Sequence, residues 1–562
     1  MGDDQERAGW WMAMDGKWYP PAQHPSPAGL GEGSFTAPPS GPPVVAPGPT
    51  PGVATPGAQT SSYWRPVLQE PAPVPTGPRS DMFVVGAPAA DERGVVRRRP
   101  LRWGGAALAA VLVAIGVFVA VSGRTTTWDP RVLGIVHFDE QHRGLTFKHP
   151  VAIEFLGNAQ FDKQVSVPAP TAKSDRLAMS RALGELRALG LVHGKVNLAA
   201  SENTLQQADV VGLYVDDKKT VFVRGRAFTP YVRVTLAHEL THALQDQYFD
   251  LAKLQDQAKA TDGSALTALV EGDAVRIENA YQQSLSPADQ QLFQREQAQL
   301  DKSSGQTGDV PEILSDILSF PYAFGPTFVD SLSSQGGNTA VDAAFRKPPV
   351  AEAQIVDPAA YPVGWKPVRV RVPSIAAGEH RIDTPSPFGQ VSLFEVLGSR
   401  LGYGPAWAAV QGWQGDNSVP YSDHGKTCVA IDVVMGSADA SARLVAAGRQ
   451  WALSIPGAAV TQAGRRVDLR SCDPGATAPA PPVVTPTAFD VLSARAQVID
   501  AIMTGATVDF AMGRCVADGV IAAVGPGNYG ELTSTDLSAA QGAHLQQQVA
   551  SAAATCRAQG VT

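Results

Sequence analysis

His238-Glu239-Leu240-Thr241-His242 is the stretch whose residue types could do chemistry. On a helix of 3.6 residues per turn, two histidines four apart project from one face, so both imidazoles can grip one divalent cation. The glutamate beside the first histidine then faces the water that such a cation activates, and can act as its general base. Zinc is the cation this ligand type favours, and a catalytic zinc needs a third protein ligand, with one position left open.

The neighbouring sequence supplies the elements that must position these groups. Thr229 is placed to cap a helix, Pro230 suits its first position, and no Gly or Pro interrupts the run to Phe249. Leu236, Leu240 and Leu244 give that helix an apolar stripe. Upstream, Val210–Val215 and Thr220–Val223 flank Asp216–Lys219, a β-hairpin pattern beside which an extended peptide could lie. Downstream, the segment Ser264–Ala274 carries Glu271 at the end of an apolar run. A carboxylate there is costly to bury unless it meets a cation, which makes Glu271 the expected third ligand, with Glu278 in reserve. Asp246, one turn past His242, is placed either to accept a ring N–H or to face solvent. Tyr322 is the candidate donor to a tetrahedral oxyanion, with His424 as its rival.

The run His-Glu-Leu-Thr-His-Ala-Leu-Gln-Asp-Gln, followed by Val-Glu-Gly-Asp-Ala, resembles the gluzincin class of zinc metallopeptidases. More closely, it resembles uncharacterised membrane-anchored metallopeptidases of actinobacteria, over residues 145–475. The resemblance implies a zincin-like peptidase with His238, His242 and Glu271 on zinc and Glu239 as base. One departure is plain: 28 residues separate His242 from Glu271, more than gluzincins usually place there.

The remaining chain sets the context. Residues 1–96 are rich in proline, with 19 of the 45 prolines in the first 100 residues, and read as disordered and cytoplasmic. Within them, residues 9–21 concentrate three tryptophans and a tyrosine and leave room for a cytoplasmic partner. Residues 97–124 combine a basic flank with the uncharged stretch 104–123, long enough for one transmembrane helix; Arg97, Arg98, Arg99 and Arg102 would keep the N-terminus inside and put the rest outside the cell. Residues 125–472 form the expected extracellular catalytic region, 473–487 an Ala/Pro/Thr linker, and 488–562 a small helical domain.

Alternation predicts strands at Val368–Val372, Cys428–Val434 and Arg466–Cys472. The four cysteines lie far from the histidines and favour disulfides Cys428–Cys472 and Cys515–Cys556. A net charge of −8 without a polybasic patch argues against nucleic acid. The expected fold is therefore α+β: a helix-rich, zincin-like ectodomain behind one transmembrane helix, with a small helical C-terminal domain. The expected activity is hydrolysis of a peptide or protein substrate. The alternative is an inactive module of the same fold that binds peptide, cell-wall material or a protein partner.

Overall fold

The computed structural model describes residues 127–166, 172–258, 261–304, 310–480, 484–506, 508–534 and 537–561, together with 11–12 and 18–19. Within the tryptophan-rich module, β1 (Trp11–Met12) and β2 (Trp18–Tyr19) pair antiparallel, Trp11 opposite Tyr19.

The first layer is built around a three-stranded sheet. In chain order come α1 (Leu133–Arg143), β3 (Ala152–Leu156), α2 (Asn158–Val165), α3 (Lys173–Ala188), α4 (Leu198–Asp209), β4 (Gly212–Val215) and β5 (Thr220–Arg224). The strand order is β3-β5-β4, with β3 parallel and β4 antiparallel to β5. Alternation sends Val221 and Val223 to one face, where they meet Leu236, Ala237 and Leu240 of α5 (Pro230–Phe249). Phe222 points the other way, onto Phe161 and Val165 of α2.

Next come α6 (Leu251–Ala258), α7 (Gly263–Ser284), α8 (Pro287–Ser304), α9 (Glu312–Arg346) and α10 (Glu352–Val356). The backbones of α7 and α9 touch. A Cβ on Gly272 would sit 2.3 Å from the Gly325 carbonyl, and one on Gly325 would sit 2.2 Å from Ala268 O. Only glycine at both positions allows this crossing.

The second sheet is antiparallel, in the order β6-β7-β8-β10-β9. It comprises β6 (His380–Arg381), β7 (Trp413–Asp423), β8 (Lys426–Met435), β9 (Ala459–Ala463) and β10 (Arg466–Cys472), with α11 (Gln390–Leu401), α12 (Tyr403–Val410) and α13 (Ala438–Ala452) interleaved in the chain. The last helices are α14 (Ala488–Ala506), α15 (Phe510–Val524), α16 (Tyr529–Thr533) and α17 (Ala539–Ala558). One apolar core runs from Leu269 of α7 and Phe328 of α9 through Ile431 of β8 to Val498 of α14 and Val549 of α17. The disulfides are Cys428–Cys472, tying β8 to β10, and Cys515–Cys556, tying α15 to α17.

Three expectations change here. The fold is α+β, but its description as an ectodomain behind a transmembrane helix is corrected: among the described residues no helix is long and apolar enough to cross a membrane. The long helices are too polar. Buried His238, Glu239 and Asp246 interrupt α5, and α9 carries Asp316, Asp330 and Asp342 and breaks at Gly336-Gly337. The expected span, residues 104–123, lies outside the described residues. The single-pass placement in the cell membrane, inside to outside, is corrected with it; the two disulfides accord with an oxidising compartment.

Val368–Val372 forms no strand. Pro367 and Pro373 bracket it, and its contacts with β7 are Val368 N–H on Gln414 O and the Asn417 amide on Val370 O.

Candidate metal centre

The site forms where α5, α7 and α9 cross beneath the edge of β4. Helix α5 starts where its sequence says it should: the Thr229 side chain accepts from Val232 N–H and Pro230 takes the first turn. Asp262 caps α7 by accepting from Ser264 N–H. The glycine crossing sets the rest. Glu271 precedes Gly272 on α7, and Tyr322 stands one turn before Gly325 on α9, so the backbone contact draws these side chains together.

His238 Nε2, His242 Nε2 and Glu271 Oε2 form a triangle. Its edges are 3.0 Å between the two nitrogens, 3.2 Å from His238 to the carboxylate oxygen and 3.3 Å from His242 to it. All three residues are buried. Metal–nitrogen bonds of about 2.0–2.1 Å in a tetrahedral site imply ligand–ligand edges of about 3.3–3.4 Å, so the triangle has the size of one face of such a site.

The ring protons make the case stronger. His238 Nδ1 lies 2.9 Å from Glu278 Oε2, and His242 Nδ1 lies 3.0 Å from Gln245 Oε1. Both partners are acceptors, so in the neutral rings Nδ1 carries the hydrogen and Nε2 is bare. Two lone pairs and a carboxylate oxygen then converge on one point, an arrangement that a cation satisfies. The buried group can bind a metal ion.

Without a metal, the charges adjust to each other. Burial opposes a charge on His238, but Glu271 and Glu278 outweigh it and raise the ring well above its ordinary range. His242 is raised too, against burial, chiefly by Glu271. Burial would likewise keep Glu271 protonated, yet the two imidazoles hold its carboxyl far below the usual carboxylate range.

Glu239 is buried but stands apart from the triangle. Tyr214 N–H, on the outer edge of β4, donates to its Oε2 at 2.7 Å. Gly212 permits this approach, since a Cβ there would meet Thr235 Cγ2 at 2.5 Å and Glu239 Cγ at 2.9 Å. Burial raises the Glu239 carboxyl, and the nearby histidines only partly offset it. Such a group can both accept and return a proton.

Tyr322 reaches the site: its ring stacks on His238 at 6.3 Å, and its phenol is close enough to Glu271 to feel the carboxylate. Burial and the surrounding carboxylates push the phenol well above its ordinary value, so it is a neutral donor. His424 is elsewhere, at the exposed tip of the β7–β8 turn. Glu278, the reserve ligand, backs His238 from behind and lies outside the triangle. Asp246 does not meet His242. Tyr214 Oη and Lys219 Nζ hold it, at 2.6 and 2.5 Å, because it points under the β4–β5 hairpin.

The acceptor for His242 is Gln245, three residues on, which sequence reasoning missed; a glutamine inside a helix with no apparent solvent face was the available signal. Also missed was Arg143 of α1, fully buried and bonded to Asp273 Oδ2 at 2.7 Å.

No protein-family profile, no curated protein and no solved structure matches the chain.

Proposed function

We propose that this protein is a zinc-dependent peptidase. The observation that supports it best is the triangle of two Nε2 atoms and one carboxylate oxygen with Glu239 beside it, buried and free of the triangle. Two imidazoles and one carboxylate are a donor set that suits zinc, with a position left over for the reacting molecule. A zinc ion held there supplies Lewis acidity, lowering the pKa of water toward 7 and polarising a carbonyl.

The chain's own groups do the rest. The Tyr214 amide fixes Glu239 Oε2, so Oε1 is the atom that takes a proton from the attacking water and hands it to the leaving amine nitrogen. The neutral Tyr322 phenol is positioned to donate to an oxyanion forming beside Glu271. β4 is the edge strand of its sheet and runs past Glu239, so an extended peptide is the substrate shape that suits it, with the Tyr214 N–H kept by Glu239.

The test compares metal content and turnover in the full-length chain against a broad peptide library. Glu239→Gln should retain one equivalent of metal and lose about 10²–10⁴ in rate. His242→Ala should lose the metal. A wild type that carries zinc and cleaves nothing, with Glu239→Gln binding peptides unchanged, would mean that the chain binds and does not hydrolyse.

A further inference from the structure

We infer that Gln245 is a positioning residue for the metal centre: it holds His242 in the one tautomer whose Nε2 can face a cation, and Asp273 and Arg143 hold Gln245. The inference rests on the metal-binding reading of the cluster and goes beyond it, to a chain of contacts reaching α1.

An amide can present either its oxygen or its nitrogen to an imidazole, and here the choice is fixed from behind. Gln245 Nε2 lies 3.0 Å from Val270 O and 3.0 Å from Asp273 Oδ2. Both are acceptors, so the NH₂ group must face them and Oε1 must face His242. His242 Nδ1 then has to donate, because a bare nitrogen 3.0 Å from a carbonyl oxygen would be two acceptors in contact.

Asp273 gives the clamp its strength. Arg143 Nε donates to Oδ2 at 2.7 Å and Arg276 Nη2 to Oδ1 at 3.0 Å. Flanked by two guanidinium groups at hydrogen-bond distance, Asp273 is held as the acceptor for the Gln245 amide. Gln245, Asp273 and Arg143 are all fully buried, where no water competes for these bonds. The two histidines are thus oriented differently, His238 by the Glu278 carboxylate and His242 by a neutral amide that a distant ion pair aligns.

The tautomer is read directly from the nitrogen spectrum of ¹⁵N-histidine-labelled, metal-free, full-length protein, above the pH at which the rings lose their protons. His242 should be protonated at Nδ1 alone. In Gln245→Met, which keeps the bulk without donor or acceptor, the ring should populate both tautomers. Zinc affinity of the folded variant, measured against a chromophoric chelator, should fall about 10–100-fold. A variant that keeps both the wild-type tautomer and the wild-type affinity overturns the inference. So does a wild-type His242 carrying its proton on Nε2, a measurement that needs no folded variant. A wild type that shows the Nδ1 tautomer yet binds no zinc supports the lock and sinks the metal reading instead.

Discussion

The crossing of α5, α7 and α9 and the pairing of α15 with α17 are held together by opposite means. At the crossing and beside it, polar groups answer one another: Arg143 with Asp273, Glu278 with His238, and half-exposed Lys219 and Tyr214 with buried Asp246. At the C-terminal pair, Val516, Val520, Leu545 and Val549 pack an apolar interior beside the Cys515–Cys556 bridge. The ion pairs made by α15, Arg495 with Asp518 and Arg514 with Asp357, each keep a partner about half exposed. A polar network fixes directions as well as distances, and fails sharply when one member is removed. An apolar core with a covalent tie stabilises without dictating where any lone pair points. Site geometry and global stability should therefore come apart under substitution.

The largest effect should come from Arg143→Met. It leaves Asp273 buried without its closest cation, which typically costs about 3–5 kcal/mol. Denaturant unfolding of the metal-free chain measures it, and an unchanged midpoint would show that the network is not what holds the crossing. Removing the C-terminal bridge, with Cys515→Ala and Cys556→Ala together, should cost about 2–4 kcal/mol. That loss should leave zinc affinity unaltered. If zinc binding weakens with the bridge gone, the two regions are not independent.

Gly325→Ala tests the crossing with a single methyl group. Its Cβ would meet Ala268 O at 2.2 Å, so α7 and α9 must part. The stability cost should be about 1–3 kcal/mol, comparable to that of losing the bridge. Unlike that loss, it should carry zinc binding away with it, because Glu271 and Tyr322 ride on the two helices. Normal metal content in this variant would separate the glycine contact from the site.

This contrast also explains what could be read in the sequence. His238, Glu239 and His242 were legible because helical spacing alone puts two imidazoles on one face, and Thr229-Pro230 announced the helix. Glu271 was legible as a carboxylate in an apolar run. The disulfide pairing followed from a linker dividing the cysteines two and two. Gln245 and Arg143 were not legible, since their roles depend on α1, α5 and α7 meeting in three dimensions. Asp246, open in the sequence between a ring N–H and solvent, meets neither for the same reason: one turn along a helix names a neighbour but not the hairpin that claims it. The strand expected at Val368–Val372 failed because alternation reports which residues are half-buried, whereas a ladder also needs the N–H groups that Pro367 and Pro373 lack.

The smallest effect per unit of change, and the most direct view of the network, is the pH dependence of zinc binding. In the metal-free chain His238 titrates above its ordinary 6.5, so its contribution to stability is full below that value and is lost as pH rises through the raised one. Glu271 titrates below its ordinary 4.5, so its contribution is present above that value and is lost as pH falls through the depressed one. The metal-free cluster is thus most stabilising in mildly acid solution. Zinc needs the bare Nε2 atoms, and each proton it displaces costs about tenfold in affinity per pH unit. Affinity should therefore begin to fall on acidification while the solution is still above pH 6.5, and more steeply once His242, also raised, takes up its proton. The variant lacking the Cys515–Cys556 bridge should trace the same curve, because nothing in the C-terminal pair enters the balance. Competition titrations with a chelator of known pH dependence, from about pH 5.5 to 8.5, would follow both proteins. A flat profile down to pH 6.5 would show that the carboxylates do not hold a proton on His238, and that the crossing is not the charge network described here.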